Sequence, residues 1–218
     1  MSVWAVLAAA GRGERFGGDR PKAFARLGDL PLLAEPLRRL DDSEWIDGIV
    51  VAAPPGWEEP CIVLAEELGA GKVSAVVAGG ETRAASVRAA LGEIPEEALV
   101  VLVHDAARPL LSDEVIGRVL APLSEGYDGA VPALPVPDTI KRVRDGVVVE
   151  TLERSGLVAC QTPQAFRADA LRRAADGEGT DCASLVEARG GRVRTVEGDP
   201  RLLKVTTKAD LERVAAWL

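Results

Sequence analysis

Short apolar runs and helical patterns of apolar residues alternate from Val3 to Ala133. The runs lack polar alternation, which is typical of strands that are buried on both faces of a parallel sheet. Strands alternating with helices predict a doubly wound α/β fold with a mostly parallel, Rossmann-like sheet, whose ligands bind at the carboxyl ends of the strands. The predicted strands are Val3 to Ala9, Gly48 to Ala53, Val73 to Val77, Leu99 to Val103 and Gly129 to Ala133. The predicted helices are Pro31 to Leu40, Trp57 to Leu68, a helix that follows the turn Gly79 to Arg83 and runs to Leu91, and Asp113 to Leu123 with Ser112 as its N-cap.

The alternation breaks at Pro132, and two strand-like runs follow that are joined at Asp145-Gly146, a strong hairpin signal. We expect residues 136–155 to form a β-hairpin arm within a single domain that covers residues 1–218. Because a lone two-stranded ribbon is marginal in water, the arm should lean on something, most economically the same arm of a second subunit. The alternative is a surface insertion without a partner.

The rest of the chain predicts further helices and short strands. Thr180 to Ser184 have the composition of an N-cap and first turn, which predicts a helix that ends at Arg189. The other predicted elements are a helix from Ala168 to Ala175, short strands at Arg192 to Val196 and Leu202 to Val205, and an amphipathic helix from Lys208 to Leu218.

The first predicted strand runs into a loop of small residues and glycines that ends at Lys22. Glycines let phosphate groups approach backbone N–H groups closely, and Arg15 and Lys22 add positive charge beside them. The loop therefore predicts a polyphosphate site, although an ordinary strand-to-helix turn with surface charges has the same composition. A dinucleotide-binding G-x-G-x-x-G would need glycine in place of Phe16, and a Walker A loop would need Lys-Ser/Thr in place of Asp19-Arg20.

Charge and composition exclude several classes of binding partner and of structural site. The net charge of −8 argues against nucleic acid and anionic membranes, so that local cations must attract an anionic substrate. No apolar run approaches the ~20 residues of a membrane span. The N-terminus lacks the basic and apolar regions of a secretory signal, so we expect a cytoplasmic location. Three scattered cysteines and a single histidine make neither a disulfide framework nor a zinc site.

Two further clusters follow other predicted strands. Gly79-Gly80 comes directly after one strand, and His104-Asp105 ends another. Because the carboxyl ends of parallel strands meet at one edge of the sheet, we expect both clusters to lie beside the glycine loop. Asp105 accepts hydrogen bonds when ionised, which suits ribose hydroxyls or a metal-bound water. His104 is expected to be structural.

Motifs in a fixed order cover nearly the whole chain. They are Ala9-Ala10-Gly11-x-Gly13-x-Arg15, Pro21-Lys22, Gly80 to Ser86, Val103 to Pro109, Asp138-Thr139-x-Lys141, Arg154-x-Gly156-Leu157, Thr162-Pro163-Gln164, Thr180-Asp181 and Lys204-Val205-Thr206. In this order and spacing, the chain resembles the 2-C-methyl-D-erythritol 4-phosphate cytidylyltransferase family of the non-mevalonate isoprenoid pathway. It departs from the usual family pattern at Ala23, where Gln is common, at Cys182, where an acidic residue is common, and at Lys208, where Pro is usual.

The resemblance implies a nucleotidyltransferase-type fold and a magnesium-dependent transfer of CMP from CTP to a polyol phosphate, with release of pyrophosphate. It also implies a homodimer held partly by the arm. In-line attack of one phosphate on another brings anions together, so catalysis depends mostly on positioning and on cations. We assign Arg15 and Lys22 to the α-phosphate and transition state, and Lys204 to the attacking phosphate. Arg154 completes the expected catalytic set.

The remaining expected roles divide between the two substrates. The residues expected to bind CTP are Ala9, Ala10, Gly11, Gly13, Gly80, Glu81, Ser86 and Asp105, with Gly80 and Ser86 facing the cytosine. The residues expected to bind the acceptor are Ala106, Arg108, Thr139, Arg154, Thr162 and Thr180. Asp105 is also the candidate for an indirect contact with Mg²⁺. Without the resemblance, Lys204 could equally be a surface lysine, and the threonines could equally serve as caps and turn residues.

Three other functions are open at this stage. A cytidylyltransferase for another polyol phosphate, such as ribitol 5-phosphate, would use the same scaffold. A non-catalytic nucleotide sensor of this fold should have lost Arg15, Lys22 or Lys204, and all three are present. A nicotinamide dehydrogenase is disfavoured by Phe16 and by the absence of an acidic residue after the second strand.

Overall fold

The structure is a computed structural model that describes residues 2–11, 13, 16 and 20–218. Its strands are β1 (Val3–Ala8), β2 (Arg26–Leu27), β3 (Leu30–Pro31), β4 (Gly48–Ala53), β5 (Val73–Ala78), β6 (Val100–Asp105), β7 (Gly129–Pro135), β8 (Lys141–Arg144), β9 (Val147–Thr151), β10 (Val158–Cys160), β11 (Gln164–Arg167) and β12 (Val193–Glu197). Its α-helices are α1 (Ala34–Asp42), α2 (Glu58–Leu68), α3 (Arg83–Leu91), α4 (Asp113–Ser124), α5 (Ala168–Ala174), α6 (Cys182–Ala188) and α7 (Lys208–Ala215). A 3₁₀ turn covers Lys22–Phe24.

Eight strands of the described chain form the main sheet, in the order β10-β7-β11-β6-β1-β4-β5 with β12 beside β7. The strand β1 lies near the centre and is parallel to β4 and β6, with Ala5 opposite Ile49 and Leu102. The strand β5 continues the parallel arrangement beyond β4. The carboxyl ends of β1, β4, β5 and β6 therefore share one edge, as the sequence predicted.

Helices cover both faces of the sheet. Ala5 and Leu7 point into a core with α1, α2 and α4, whereas Val6 points into a second core with α3, α5 and α6. Successive side chains of a strand face opposite sides, so a strand between two helical layers must be apolar throughout. This confirms the doubly wound α/β arrangement. Ser112 occupies the N-cap position of α4 as predicted, but its side chain makes no capping hydrogen bond among the described residues.

Two parts of the sheet differ from the prediction. The sequence patterns did not predict β10 and β11. Both strands run antiparallel to β7, and β11 also runs antiparallel to β6. The predicted strand Leu202 to Val205 is wrong, because this segment pairs with no strand. Leu202 and Val205 are fully buried, so the apolar pattern reports their burial and not strand pairing.

The strands β8 and β9 form a separate two-stranded sheet in which every residue is exposed. Its turn has positive φ at Asp145 (48°) and Gly146 (79°), the conformation that two-residue hairpin turns favour. The hairpin exposes four valines, Val143, Val147, Val148 and Val149. Within the described residues, no helix is long and apolar enough to cross a membrane.

Candidate active site

A cavity of about 730 Å³ opens at the carboxyl edge of the sheet. Residues that follow β1, β5 and β6 line it, together with Lys22 of the 3₁₀ turn and Lys204 and Thr206 of the segment before α7. The ends of three strands and two further segments thus deliver backbone groups, two carboxylates and three cations to one volume. This is where a doubly wound sheet binds its ligands.

The turn from β5 into α3 brings the backbone close to the loop after β1. A Cβ atom at Gly79 would overlap the Cβ of Ala10, and one at Gly80 would overlap the Cβ of Ala85. Both neighbouring atoms are fixed to the backbone and cannot swing aside. The two glycines are therefore needed for this wall of the cavity to form.

Hydroxyl groups fix the same turn internally. Thr82 caps α3 by accepting a hydrogen bond from the backbone N–H of Ala85 at 3.1 Å. The Ser86 hydroxyl accepts from the backbone N–H of Gly80 at 3.1 Å and donates to the carbonyl of Thr82 at 2.9 Å. Ser86 lines the cavity, but its hydroxyl already serves to shape the turn.

Asp105 lies between two cations at the end of β6. Arg83 donates from Nε to Oδ1 at 3.0 Å, and Lys204 donates from Nζ to Oδ2 at 2.7 Å. Burial alone would raise the pKa of Asp105, but the two cations outweigh burial and hold this pKa well below its usual range. The cavity therefore contains a fixed carboxylate that stays ionised at neutral pH.

A buried hydrogen-bonded group supports Asp105 from behind. The Thr162 hydroxyl accepts from the backbone N–H of Asp105 at 3.0 Å and contacts His104 Nδ1 at 3.2 Å. The other ring nitrogen of His104 lies 2.9 Å from the carbonyl of Arg108. Burial lowers the pKa of His104 to about 4, so the ring is neutral at pH 7. His104 has the structural role that the sequence analysis expected.

The 3₁₀ turn and the segment before α7 meet at Lys22, whose Nζ donates to the carbonyl of Val205 at 2.9 Å. This bond places Lys22 beside the residue that follows Lys204. The turn is itself held by a contact between the rings of Phe24 and Trp57, whose centroids are 4.7 Å apart. Gly13 packs against the base of the Lys22 side chain, where a Cβ would approach Lys22 Cβ to 2.7 Å.

The segment that carries Lys204 is anchored on two sides. The backbone N–H of Val205 donates to the carbonyl of Ala107 at 2.8 Å. The helix α7 begins with a capping box, in which Asp210 also accepts from the backbone N–H of Thr206 at 2.9 Å. These bonds fix the backbone of the two residues that follow Lys204 without a strand ladder.

The whole chain matches one protein family. The family model for 2-C-methyl-D-erythritol 4-phosphate cytidylyltransferase matches residues 3–218. The chain belongs to this family. A family member from Frankia casuarinae is 46% identical over 99% of this chain and 81% of its own length. Another, from Saccharopolyspora erythraea, is 45% identical over the full length of both chains.

Solved structures of the 2-C-methyl-D-erythritol 4-phosphate cytidylyltransferase family share the fold. The Francisella tularensis structure superposes with a TM-score of 0.86 at 30% identity and covers 100% of both chains. The Thermus thermophilus structure gives a TM-score of 0.78 at 34% identity, over 100% of this chain and 98% of its own. The chain is thus a cytidylyltransferase-family enzyme in both sequence and fold.

Most residues predicted for catalysis and CTP binding lie at the cavity. Those that line it are Ala9, Ala10, Gly11, Gly13, Lys22, Gly80, Glu81, Ser86, Asp105 and Lys204, and the predicted acceptor residue Ala106 lines it too. Arg15 lies outside the described residues. The structure therefore brings together the loop after β1, the turn after β5, the end of β6 and Lys204, which are far apart in the chain.

The predicted acceptor residues are more dispersed. Arg108 and Thr162 lie behind the cavity wall, where Arg108 donates to the carbonyl of Leu202 and Thr162 supports Asp105. Thr139, Arg154 and Thr180 are exposed and do not line the cavity of the described chain. Arg154 contacts the carbonyl of Val136 at 3.3 Å. Their assignment to the acceptor stays a prediction.

Arg83 and Thr206 are among the cavity residues to which the sequence patterns assigned no role. Arg83 stood at the start of a predicted helix, where a cation usually faces solvent because the helix dipole disfavours it there. The signal that could have revealed it is its place three residues after Gly80, at the same edge of the sheet as Asp105. Thr206 belongs to the motif Lys204-Val205-Thr206, in which the sequence predicted a catalytic role for Lys204 alone.

Proposed function

We propose that this enzyme transfers CMP from CTP to 2-C-methyl-D-erythritol 4-phosphate and forms 4-diphosphocytidyl-2-C-methyl-D-erythritol and pyrophosphate. An oxygen of the acceptor phosphate attacks the α-phosphorus of CTP, and the bond from that phosphorus to the β-phosphate oxygen breaks. The observation that carries the proposal is the cavity in which Lys22, Lys204 and Asp105 meet two glycine-containing turns. The family match favours this acceptor over ribitol 5-phosphate.

Positive charge is the main catalytic device in this proposal. Lys22, with Arg15, stabilises the charge that builds on the equatorial oxygens of the α-phosphate. Lys204 orients the attacking phosphate. The bond from Lys22 to Val205 supports this division, because it places both lysines at the same end of the cavity. No protein nucleophile is needed, since binding in line supplies most of the rate.

The rest of the cavity positions the nucleotide. Backbone N–H groups of Ala10 and Gly11 can approach the triphosphate, and the Gly79-Gly80 wall brings main-chain groups close to the base, which we expect to be a pyrimidine. Asp105 accepts from the ribose hydroxyls. Strong turnover with ATP or GTP would contradict this assignment of the base.

The residues fit a magnesium ion that is bound mainly by the nucleotide. Among the described residues, no group of three or more His, Cys, Asp and Glu side chains could hold a metal by itself. Mg²⁺ is usually held by one or two carboxylates together with substrate phosphates. Asp105, which lines the cavity and is ionised, would contact the ion through a bound water. The ion would offset the charge of the triphosphate.

We further propose that the arm completes the acceptor site of a second subunit. Thr139 and Arg154 are exposed at the base of the hairpin and do not line the described cavity of their own chain. The exposed valines of β8 and β9 give the arm an apolar surface that a partner would cover. We place the dimer in the cytoplasm, where the three unpaired cysteines would stay reduced.

Phosphorus NMR of the protein with CTP and Mg²⁺ tests the reaction. With 2-C-methyl-D-erythritol 4-phosphate we expect pyrophosphate and a new diphosphate diester to appear together. Ribitol 5-phosphate, ATP and GTP serve as matched alternatives and should react far more slowly. Absence of transfer with the first acceptor, or faster transfer to ribitol 5-phosphate, would refute the proposed specificity.

Subunit exchange tests the shared site. Lys22→Ala and Arg154→Ala should each be nearly inactive, and mixing equal amounts makes half of the dimers mixed. Each mixed dimer would have one site with both defects and one with neither, so about a quarter of native activity should return. If the arm serves its own subunit, no activity returns. Mass measurement of the mixed dimers confirms that exchange has occurred.

A further inference from the structure

Arg83 is a mostly buried cation in an unfavourable place. It is the first residue of α3, whose first turn contains no acidic side chain, and only 23% of its side chain is exposed. The positive end of the helix dipole and the loss of hydration both oppose a cation there. Something specific at the edge of the sheet must therefore compensate for its charge.

That compensation comes from Asp105. Within the described residues, Asp105 is the carboxylate that forms an ion pair with Arg83, through Nε and Oδ1 at 3.0 Å. Arg83 Nη1 lies 3.3 Å from Cys182 Sγ, and burial raises the pKa of this thiol, which is therefore neutral. Cys182 thus helps to orient the guanidinium but supplies no charge.

The carboxylate of Asp105 is shared between two cations from different elements. Arg83 of α3 binds Oδ1, and Lys204 of the segment before α7 binds Oδ2 at 2.7 Å. Arg83 is the more buried of the two, since 42% of the Lys204 side chain is exposed. Arg83 is therefore the fixed partner, and Lys204 is the one that can turn toward a ligand.

We propose that Arg83 is a positioning residue that holds Asp105 in place, so that Lys204 can move from Asp105 to the acceptor phosphate. This inference rests on the proposed function. Without Arg83, Lys204 becomes the remaining ion-pair partner of Asp105 among the described residues, and moving it away would leave a buried carboxylate without an ion pair. Arg83 thus acts through Asp105 and touches neither reacting phosphate.

The test compares Arg83→Gln with Arg83→Lys and with a control on the same helix. Arg88→Gln is the control, because Arg88 also lies on α3 but pairs at the surface with Asp176 at 3.6 Å. We expect Arg83→Gln to lower kcat by about 10–100-fold, the range for partners that orient functional groups. The KM for CTP should change much less. Arg83→Lys should recover part of kcat, and Arg88→Gln should be close to native.

A double-mutant cycle with Asp105→Asn separates positioning from a general structural role. If Arg83 acts through Asp105, adding Arg83→Gln to Asp105→Asn should cause no further loss of kcat. Equal losses of kcat in both backgrounds would overturn the proposal. So would a native kcat for Arg83→Gln, or an equal loss in Arg88→Gln. Cys182→Ala leaves the ion pair intact and should cost little.

A second measurement does not depend on turnover. Urea unfolding midpoints of the ligand-free native protein, the two single variants and the double variant report the coupling between Arg83 and Asp105 directly. We expect the double variant to unfold at a higher urea concentration than the sum of the single losses implies. Additive midpoints would overturn the inference even if the enzyme used another acceptor. Coupled midpoints in a protein without cytidylyl transfer would refute the proposed function alone.

Discussion

Lys204→Met removes a positive charge from the cavity and keeps most of the side-chain length. The ammonium group lies 2.7 Å from Asp105 Oδ2, and the backbone of the next two residues is fixed by other bonds. The substitution should therefore leave the segment in place. Its effects should come from the loss of one charge.

Two magnitudes follow from this contact. Removing one partner of a fully buried ion pair costs about 3–5 kcal/mol, and an exposed pair contributes about 0–1 kcal/mol. Because Lys204 is 42% exposed and Arg83 still neutralises Asp105, we expect the variant to lose about 1–2 kcal/mol of stability. For a chain of 218 residues this lowers Tm by about 2–8 °C. Turnover should fall by about 10²-fold or more, the usual cost of removing one preorganised charge stabiliser.

Pyrophosphate release at saturating CTP and acceptor measures the loss of turnover, and thermal unfolding without ligands measures the loss of stability. A loss of about 1–2 kcal/mol leaves a typical domain almost entirely folded at 25 °C, so unfolding cannot account for a large fall in turnover. Lys208→Met is the matched control, because Lys208 is exposed on the next helix. Near-native turnover in Lys204→Met, or an equal loss in Lys208→Met, would refute the role of Lys204.

Four further outcomes are expected. Lys22→Ala and Lys22→Arg should each lower turnover by about 10²-fold with a smaller change in CTP affinity, as steady-state kinetics would show. Thr162→Val should lower stability in urea by about 1–3 kcal/mol, because the buried N–H of Asp105 loses its acceptor. Burial lowers the pKa of His104 from 6.5 to about 4, so between these pH values the unfolded state binds more protons than the folded state. The free energy of unfolding should therefore fall by up to about 3 kcal/mol as the pH drops from 6.5 to 4, and His104→Gln is the control. Cys160 is the exposed cysteine and should react with a thiol reagent before the others, which mass spectrometry of peptides would show.

The sequence predicted the centre of the sheet better than its edge. The strands β1, β4 and β6 are buried on both faces, so their sequences are continuous apolar runs with few alternatives. The strands β10 and β11 are short and flank Pro163, and their pairing depends on β7, which is distant in sequence. Local patterns cannot report such long-range pairing. The strand predicted at residues 202–205 was wrong for the same reason, because its apolar pattern reports burial and cannot show whether the segment pairs with another strand.

The same distinction holds for the candidate site. Its position at the carboxyl edge of the sheet was predictable, because polar and glycine clusters followed three apolar runs. The hydrogen bonds that hold Asp105 and Arg83 in place were not predictable. The contact of Thr162 with Asp105 joins residues 57 positions apart, and the contact of Arg83 with Cys182 joins residues 99 positions apart. A cation at a helix start resembles a surface residue until tertiary structure shows what it faces.

The bond between Lys22 and Val205 has a consequence for the synthesis of the protein. It joins residues 183 positions apart, so one side of the cavity cannot form until the ribosome has made almost all of the described chain. The central parallel strands are encoded much earlier and can pair while the C-terminal region is still missing. A nascent chain would therefore contain a folded sheet with an unfinished cavity. Catalytic competence should therefore arise only after Lys204 and Val205 have been made and have reached the cavity.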